Sequence, residues 1–159
     1  MALVQGTNSY ATLAAAELYF VDRLDAAAWQ VAADLLKSQA LIMATAMLDS
    51  LDWSGAVMNP TQYLAFPRDA EYFDPRLGLT VASPLTVPDR IIKATFEQAY
   101  HLLNNDDLLD NTGRVKNLSV GSMTLTTIVP ASKMPMIVKK LIRPMLSNSR
   151  AANSWWRAN

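Results

Sequence analysis

The sequence has no cysteine and a single histidine, His101. The first absence excludes disulfides and thiolate metal sites. The second leaves almost nothing for a nucleophile–base pair, and no residue pattern supplies one. A phosphate loop, a dinucleotide fingerprint and a nucleophile elbow are all missing. The apolar runs fall far short of the ~20 residues that span a bilayer. Residues 1–6 lack the charged and apolar blocks of a secretory leader, so synthesis and assembly in a cytosol are expected.

The most informative scarcity is regional. The last 49 of the 159 residues contain no acid. All fourteen Asp and Glu lie in residues 1–110, where six bases oppose them, giving −8. The other eight bases (Arg114, Lys116, Lys133, Lys139, Lys140, Arg143, Arg150 and Arg157) stand unopposed, giving +8. A net charge of zero thus conceals an acidic body and a basic end, an asymmetry that bears on partners rather than on fold. Charged residues make up only 18% and apolar residues 51%, with eight methionines. This composition fits one domain with a real core and extensive subunit contact; an alanine-rich helical core accounts for it equally well.

The periodicity predicts a mainly α chain. Thr12 reads as an N-cap, with Leu13, Leu18, Phe20 and Val21 on the buried side of a helix reaching Leu24. Asp25 reads as a second cap, before a short helix at 26–30. A longer helix runs from about Val31 to Leu51, its apolar stripe formed by Leu36, Ala40, Met43, Ala44, Met47, Leu48 and Leu51. Residues 52–87 carry Asp52-Trp53-Ser54-Gly55, Asn59-Pro60, Phe66-Pro67, Asp74-Pro75, Gly78 and Pro84. That punctuation predicts a long, aromatic-rich loop with at most short strands. Pro88 and Asp89 suit the start of a helix with Ile92, Thr95, Phe96, Ala99, Leu102 and Leu103 as its stripe, ending near Asn104-Asn105. Asp106 to Gly113 reads as a polar turn region. Residues 115–129 alternate, with a switch of parity at Gly121-Ser122 that marks a hairpin turn or a bulge. A last helix starts near Pro135, with Met134, Ile137, Val138, Leu141, Ile142 and Met145 inward, and Pro144 ends or kinks it. The organisation is a helical domain over 1–146 with a β element at about 115–129, followed by an extended C-terminal arm, 147–159.

Chemistry-bearing clusters are sparse. His101 with Asp106, Asp107 and Asp110 has the residue types of a metal site, but a solvated acidic turn after a helix explains them better. Asp69, Glu71 and Asp74 read as loop solvation rather than a catalytic carboxylate pair. No catalytic, cofactor or metal residue is assigned. Tyr10, Trp29, Trp53, Phe66 and Phe73 read mostly as core or loop packing. The basic end has three readings: a protein-docking face, a solvated helix with a loose tail, or a surface that tracks phosphates and stacks bases on Trp155 and Trp156. Docking is the favoured one, with Lys133, Lys139, Lys140, Arg143, Arg150, Trp155, Trp156 and Arg157 as the contact residues.

Asn8-Ser9-Tyr10, Ala15-Ala16-Glu17, Tyr19-Phe20 and Leu24-Asp25-Ala26-Ala27-Ala28-Trp29 occur in an ordered series. Lys37, Gln39-Ala40-Leu41-Ile42, Ala44-Thr45, Trp53-Ser54-Gly55, Gln62 and Leu64-Ala65-Phe66-Pro67-Arg68 continue it. Val87-Pro88, Val115-Lys116 and Val120-Gly121 complete it. This series, over roughly residues 8–145, resembles the head-to-tail connector, or adaptor, proteins of tailed bacteriophages, some of which are described as DnaT-like single-stranded-DNA-binding proteins. The resemblance implies a helical bundle with a small β element and no catalysis or cofactor. It implies a homo-oligomeric ring, commonly a dodecamer, in the virion neck, assembled in the host cytoplasm. Its partners would be the portal protein and a tail or nozzle protein, with double-stranded DNA passing through the channel without sequence specificity and no membrane involved. The alternative is a replication accessory protein that binds single-stranded DNA.

Overall fold

The computed structural model describes residues 2–104 and 133–147, together with the backbone of two strands, Arg114–Val120 and Met123–Val129. In chain order the elements are α1 (Leu13–Val21), α2 (Ala27–Val31), α3 (Asp34–Asp49), β1 (Ala56–Val57), β2 (Arg68–Asp69), β3 (Glu71–Asp74), β4 (Leu79–Ala82), α4 (Asp89–Leu103), β5 (Arg114–Val120), β6 (Met123–Val129) and α5 (Met136–Ile142). A single 3-10 turn, Arg143–Met145, follows α5. The chain is a small, mainly α bundle with β-hairpins, as the periodicity predicts.

Helix α4 is the axis of the bundle. Its start is set locally: Pro88 is the N-cap, and Asp89 sits in the first turn with its carboxylate 2.8 Å from Lys93. Every residue from Ala94 to Tyr100 is buried, so neighbours cover it on all sides. Its C-terminal half (Phe96, Ala99, Tyr100) shares one core with Ala16, Phe20, Trp29, Ala40, Leu41 and Ala44. Its N-terminal half (Ile91, Ala94) shares a second core with Tyr10, Leu48, Trp53, Phe66, Val138 and Ile142. The order along α3, with Ala40 to Ala44 in the first core and Leu48 in the second, makes α3 and α4 antiparallel. Phe20 stacks on Trp29 with ring centroids 4.5 Å apart and lies 5.7 Å from Tyr100. Each such fully buried ring contributes about 1.5–3 kcal/mol through the water it leaves.

Several local expectations hold. The Thr12 hydroxyl accepts from the Ala15 amide at 3.1 Å, capping α1. The segment after α3 forms only short strands, paired antiparallel as β1–β2 and β3–β4. Gly55 turns into β1 with φ +72°, and a Cβ there would fall 2.1 Å from the Asp69 carbonyl oxygen, so neither the conformation nor the space admits a side chain. β5 and β6 pair antiparallel with Val120 opposite Met123, and the expected turn or bulge at Gly121-Ser122 lies outside the described residues. Pro144 ends α5 in the 3-10 turn.

Other expectations are corrected. Leu18, Val21 and Leu24 face solvent, not the core. The buried stripe of α3 is Lys37, Ala40, Leu41, Ala44, Thr45 and Leu48, leaving Leu36 and Met43 exposed. Apolar residues occupy both sides of α3, so periodicity alone could not fix its rotation. Asp25 is not a cap: Ala26 is the N-cap of α2, and the Asp25 carboxylate accepts from the Tyr100 hydroxyl at 3.4 Å. Ile137 and Phe73 are exposed, whereas Tyr10, Trp29, Trp53 and Phe66 are buried as expected. Apart from Ser147, the arm at 147–159 and the polar turn at 106–113 lie outside the described residues.

Candidate functional site

The basic face is built on α5. Val138 and Ile142 anchor this helix in the second core. Two side chains of α4 clamp its ends. Gln98 Nε2 donates to the Lys133 carbonyl at 2.8 Å, and the Arg90 guanidinium donates to the carbonyls of Leu141 (3.0 Å) and Lys140 (3.3 Å). Arg90 thereby satisfies C-terminal carbonyls that the helix itself leaves open. With the helix so fixed, Lys133, Met136, Ile137, Lys139, Lys140 and Arg143 are exposed. Met136, Lys140 and Arg143 follow one another at i, i+4 and i+7, with Ile137 at i+1, so cations and apolar side chains share one face. Met136 is 66% exposed. Among the described residues, no carboxylate lies within ion-pair distance of Lys133, Lys140 or Arg143.

The second surface lies on α1, α2 and the start of α3. Leu18 (73%), Val21, Leu24, Val31 (84%), Leu35, Leu36 and Met43 are all exposed. This many large apolar side chains on neighbouring elements exceeds the single scattered leucines of an ordinary surface. Its charge is set by where the cations go. Lys37 is buried, with Nζ 2.7 Å from Glu17, 3.7 Å from Asp34 and 5.7 Å from the Trp29 ring centroid. Arg23 is held against buried Glu97, with its guanidinium 4.7 Å from the Tyr100 ring centroid. Lys37 is matched by Glu17 and Asp34, and Arg23 by Glu97, so with Asp22 and Asp25 also exposed the acids outnumber the bases here. The surface is apolar and acidic.

Glu97 is the hub beneath it. It accepts from the Tyr19 hydroxyl at 2.6 Å and from Arg23, which ties α1 to α4. Burial, then the hydrogen bond to Glu97, pushes the Tyr19 phenol up to about 12. Burial also raises the Tyr10 phenol far above its ordinary range, reinforced by its hydrogen bond to Asp49. These shifts hold both tyrosines neutral, as donors.

An open cleft of about 490 Å³ is lined by Asp49, Leu51, Asp52, Trp53, Ala65, Arg68 and Ser147. Its two most functional-looking groups are engaged. Asp49 accepts from Tyr10 and from the Ala65 amide at 3.2 Å. Arg68 donates to the carbonyls of Ser54 (2.9 Å), Ala65 (3.3 Å) and Gly55. Among the described residues no cluster of three His, Asp or Glu could hold a metal, and no helix is long and apolar enough to cross a membrane.

The structure therefore brings Lys133, Lys139, Lys140 and Arg143 together on one exposed face, while Arg150, Trp155, Trp156 and Arg157 lie outside the described residues. The apolar surface of α1–α3 was missed by sequence reasoning, which placed Leu18, Val21, Leu36 and Met43 inside. One signal was available: α1 has a single charged residue, Glu17, in nine, so its apolar content exceeds what one face can bury. No curated protein and no solved structure matches the chain. A family model described as DnaT-like ssDNA binding protein matches residues 2–158, nearly the whole length, and the chain belongs to that family.

Proposed function

We propose that the chain is a non-catalytic structural adaptor that works as a homo-oligomer in the neck of a tailed phage, between the portal and the tail. The observation that carries this reading is the set of large apolar side chains on α1–α3 left in water outside the first core. A monomer gains nothing from such a surface, whereas burying it in an assembly recovers the hydrophobic free energy. The exposed face of α5 supports the same reading, because Met136 and Ile137 interrupt its cations as in a protein-docking patch. The engaged side chains of the cleft support a role without catalysis. The phage neck as location, and the portal, tail protein and channel DNA as partners, come from the family resemblance.

The second reading is single-stranded-DNA binding. It is favoured by the family description and by three exposed cations, Lys133, Lys140 and Arg143, without carboxylate partners among the described residues. The two readings separate in solution. An adaptor binds isolated portal rings and has little affinity for a free oligonucleotide. A DNA-binding protein retains an oligonucleotide with an affinity that falls steeply as salt rises, because phosphate contacts release counterions. Pull-down on portal rings beside a salt-titrated oligonucleotide binding assay decides between them.

A further inference from the structure

We infer that the apolar, acidic surface of α1–α3 is the docking site for the apolar, basic face of α5 from a second copy of this chain, in a head-to-tail contact. The inference rests on the adaptor reading in needing an assembly, and it names the partner surfaces. Each surface combines exposed aliphatic side chains with a net charge of one sign. One side offers Leu18, Val21 and Leu35 with Asp22, Asp25 and Asp34; the other offers Met136 and Ile137 with Lys133, Lys140 and Arg143. Both are exposed within the same chain, so neither is the other's intramolecular cover.

Charge decides how copies meet. A two-fold contact of the α1–α3 surface with itself would set net negative charge against net negative charge, and self-contact of α5 would oppose cations in the same way. Like charges placed face to face at an interface are penalised, whereas the crossed pairing matches sign on sign and apolar on apolar. A contact between two different surfaces of identical chains is heterologous: it propagates, and closes into a ring where the rotation permits. Nucleic acid as the occupant of α5 would match its cations, but it leaves Met136 and Ile137 without a role and does nothing for the α1–α3 surface.

The test is a charge exchange read by sedimentation velocity on the full chain. One variant carries Lys140→Glu with Arg143→Glu, the other Asp22→Lys with Asp34→Lys. Wild type sediments as an oligomer that weakens with salt. Each variant alone associates at least tenfold more weakly and sediments as a monomer, because its two surfaces now carry the same sign. An equimolar mixture regains the wild-type sedimentation coefficient, since every contact in an alternating assembly is again complementary. Leu18→Ser and Met136→Ser, one on each surface, weaken assembly about tenfold without altering charge and carry the test should a reversal unfold the chain. A wild type that is monomeric throughout, reversals that leave assembly intact, or a mixture that stays monomeric would each overturn the inference. So would loss of oligonucleotide binding as the only effect of the Lys140 and Arg143 changes. The two levels fail separately: rings that seat on portals while the exchange fails leave the adaptor reading standing, and a successful exchange in assemblies that ignore portals leaves only the pairing.

Discussion

Helix α4 buries Glu97 and Gln98, whereas α1, a far more apolar helix, leaves Leu18 and Val21 in water. Residue type alone predicts the reverse. The difference lies in the neighbours. α4 is surrounded, so its polar groups are enclosed, and most of them are partnered: Glu97 by Tyr19 and Arg23, the Gln98 Nε2 by the Lys133 carbonyl, Thr95 by the Ile91 carbonyl at 2.9 Å, while among the described residues the Gln98 Oε1 is left without a partner. α1 covers the bundle from outside and has more apolar surface than the bundle can take up. Polar groups inside hold the helices in register, and apolar groups outside stay in water.

Removing the polar hub should do the most damage. Glu97→Ala leaves Arg23 and the Tyr19 hydroxyl without their partner beneath the first core, and should cost about 3 kcal/mol in urea unfolding. An unchanged midpoint would mean that α4's enclosed polar groups are bystanders. Gly55→Ala comes next. Its Cβ would collide with the Asp69 carbonyl in a left-handed conformation, so a loss of about 2 kcal/mol is expected, with β1–β2 pairing disturbed.

The tyrosine donors give a pH signature. A phenol held neutral in the fold, with its pKa raised from 10 to about 12, stabilises fully below pH 10. Between pH 10 and 12 the unfolded chain loses that proton while the folded chain keeps it, so stability falls as pH rises. Tyr19 is partly exposed, and solvent screening reduces its share to on the order of 1 kcal/mol. Tyr19→Phe should flatten that part of the decline, measured by urea midpoints at successive pH values. The smallest effect on the fold is expected at the outer surface: Leu18→Ser should change monomer stability by less than ~0.5 kcal/mol while weakening self-association, the opposite pattern to Glu97→Ala.

What was legible in the sequence was local. Thr12 as a cap, Pro88-Asp89 as a helix start and Pro144 as a stop each act through the backbone of a few residues. The punctuated segment 52–87 told of short strands for the same reason. What was not legible depends on contacts distant in sequence. Leu36 and Leu41 lie on different sides of α3, and only α1 and α4 decide which is covered. Lys37 reads as a surface cation until Glu17 and Trp29 are placed against it. The basic face of α5 was legible in part, because the absence of any acid after Asp110 needs no fold to be seen. The apolar surface of α1–α3 was not, because exposed and buried leucines look alike in one dimension.

The central claim, that these surfaces serve assembly, is tested most directly by electron microscopy of the purified full-length chain, alone and mixed with portal rings. The account predicts closed rings stacked coaxially on the portal, with the α1–α3 surface of each copy covered by α5 of the next. Dispersed single chains that ignore the portal, together with salt-sensitive binding of a single-stranded oligonucleotide, would contradict it.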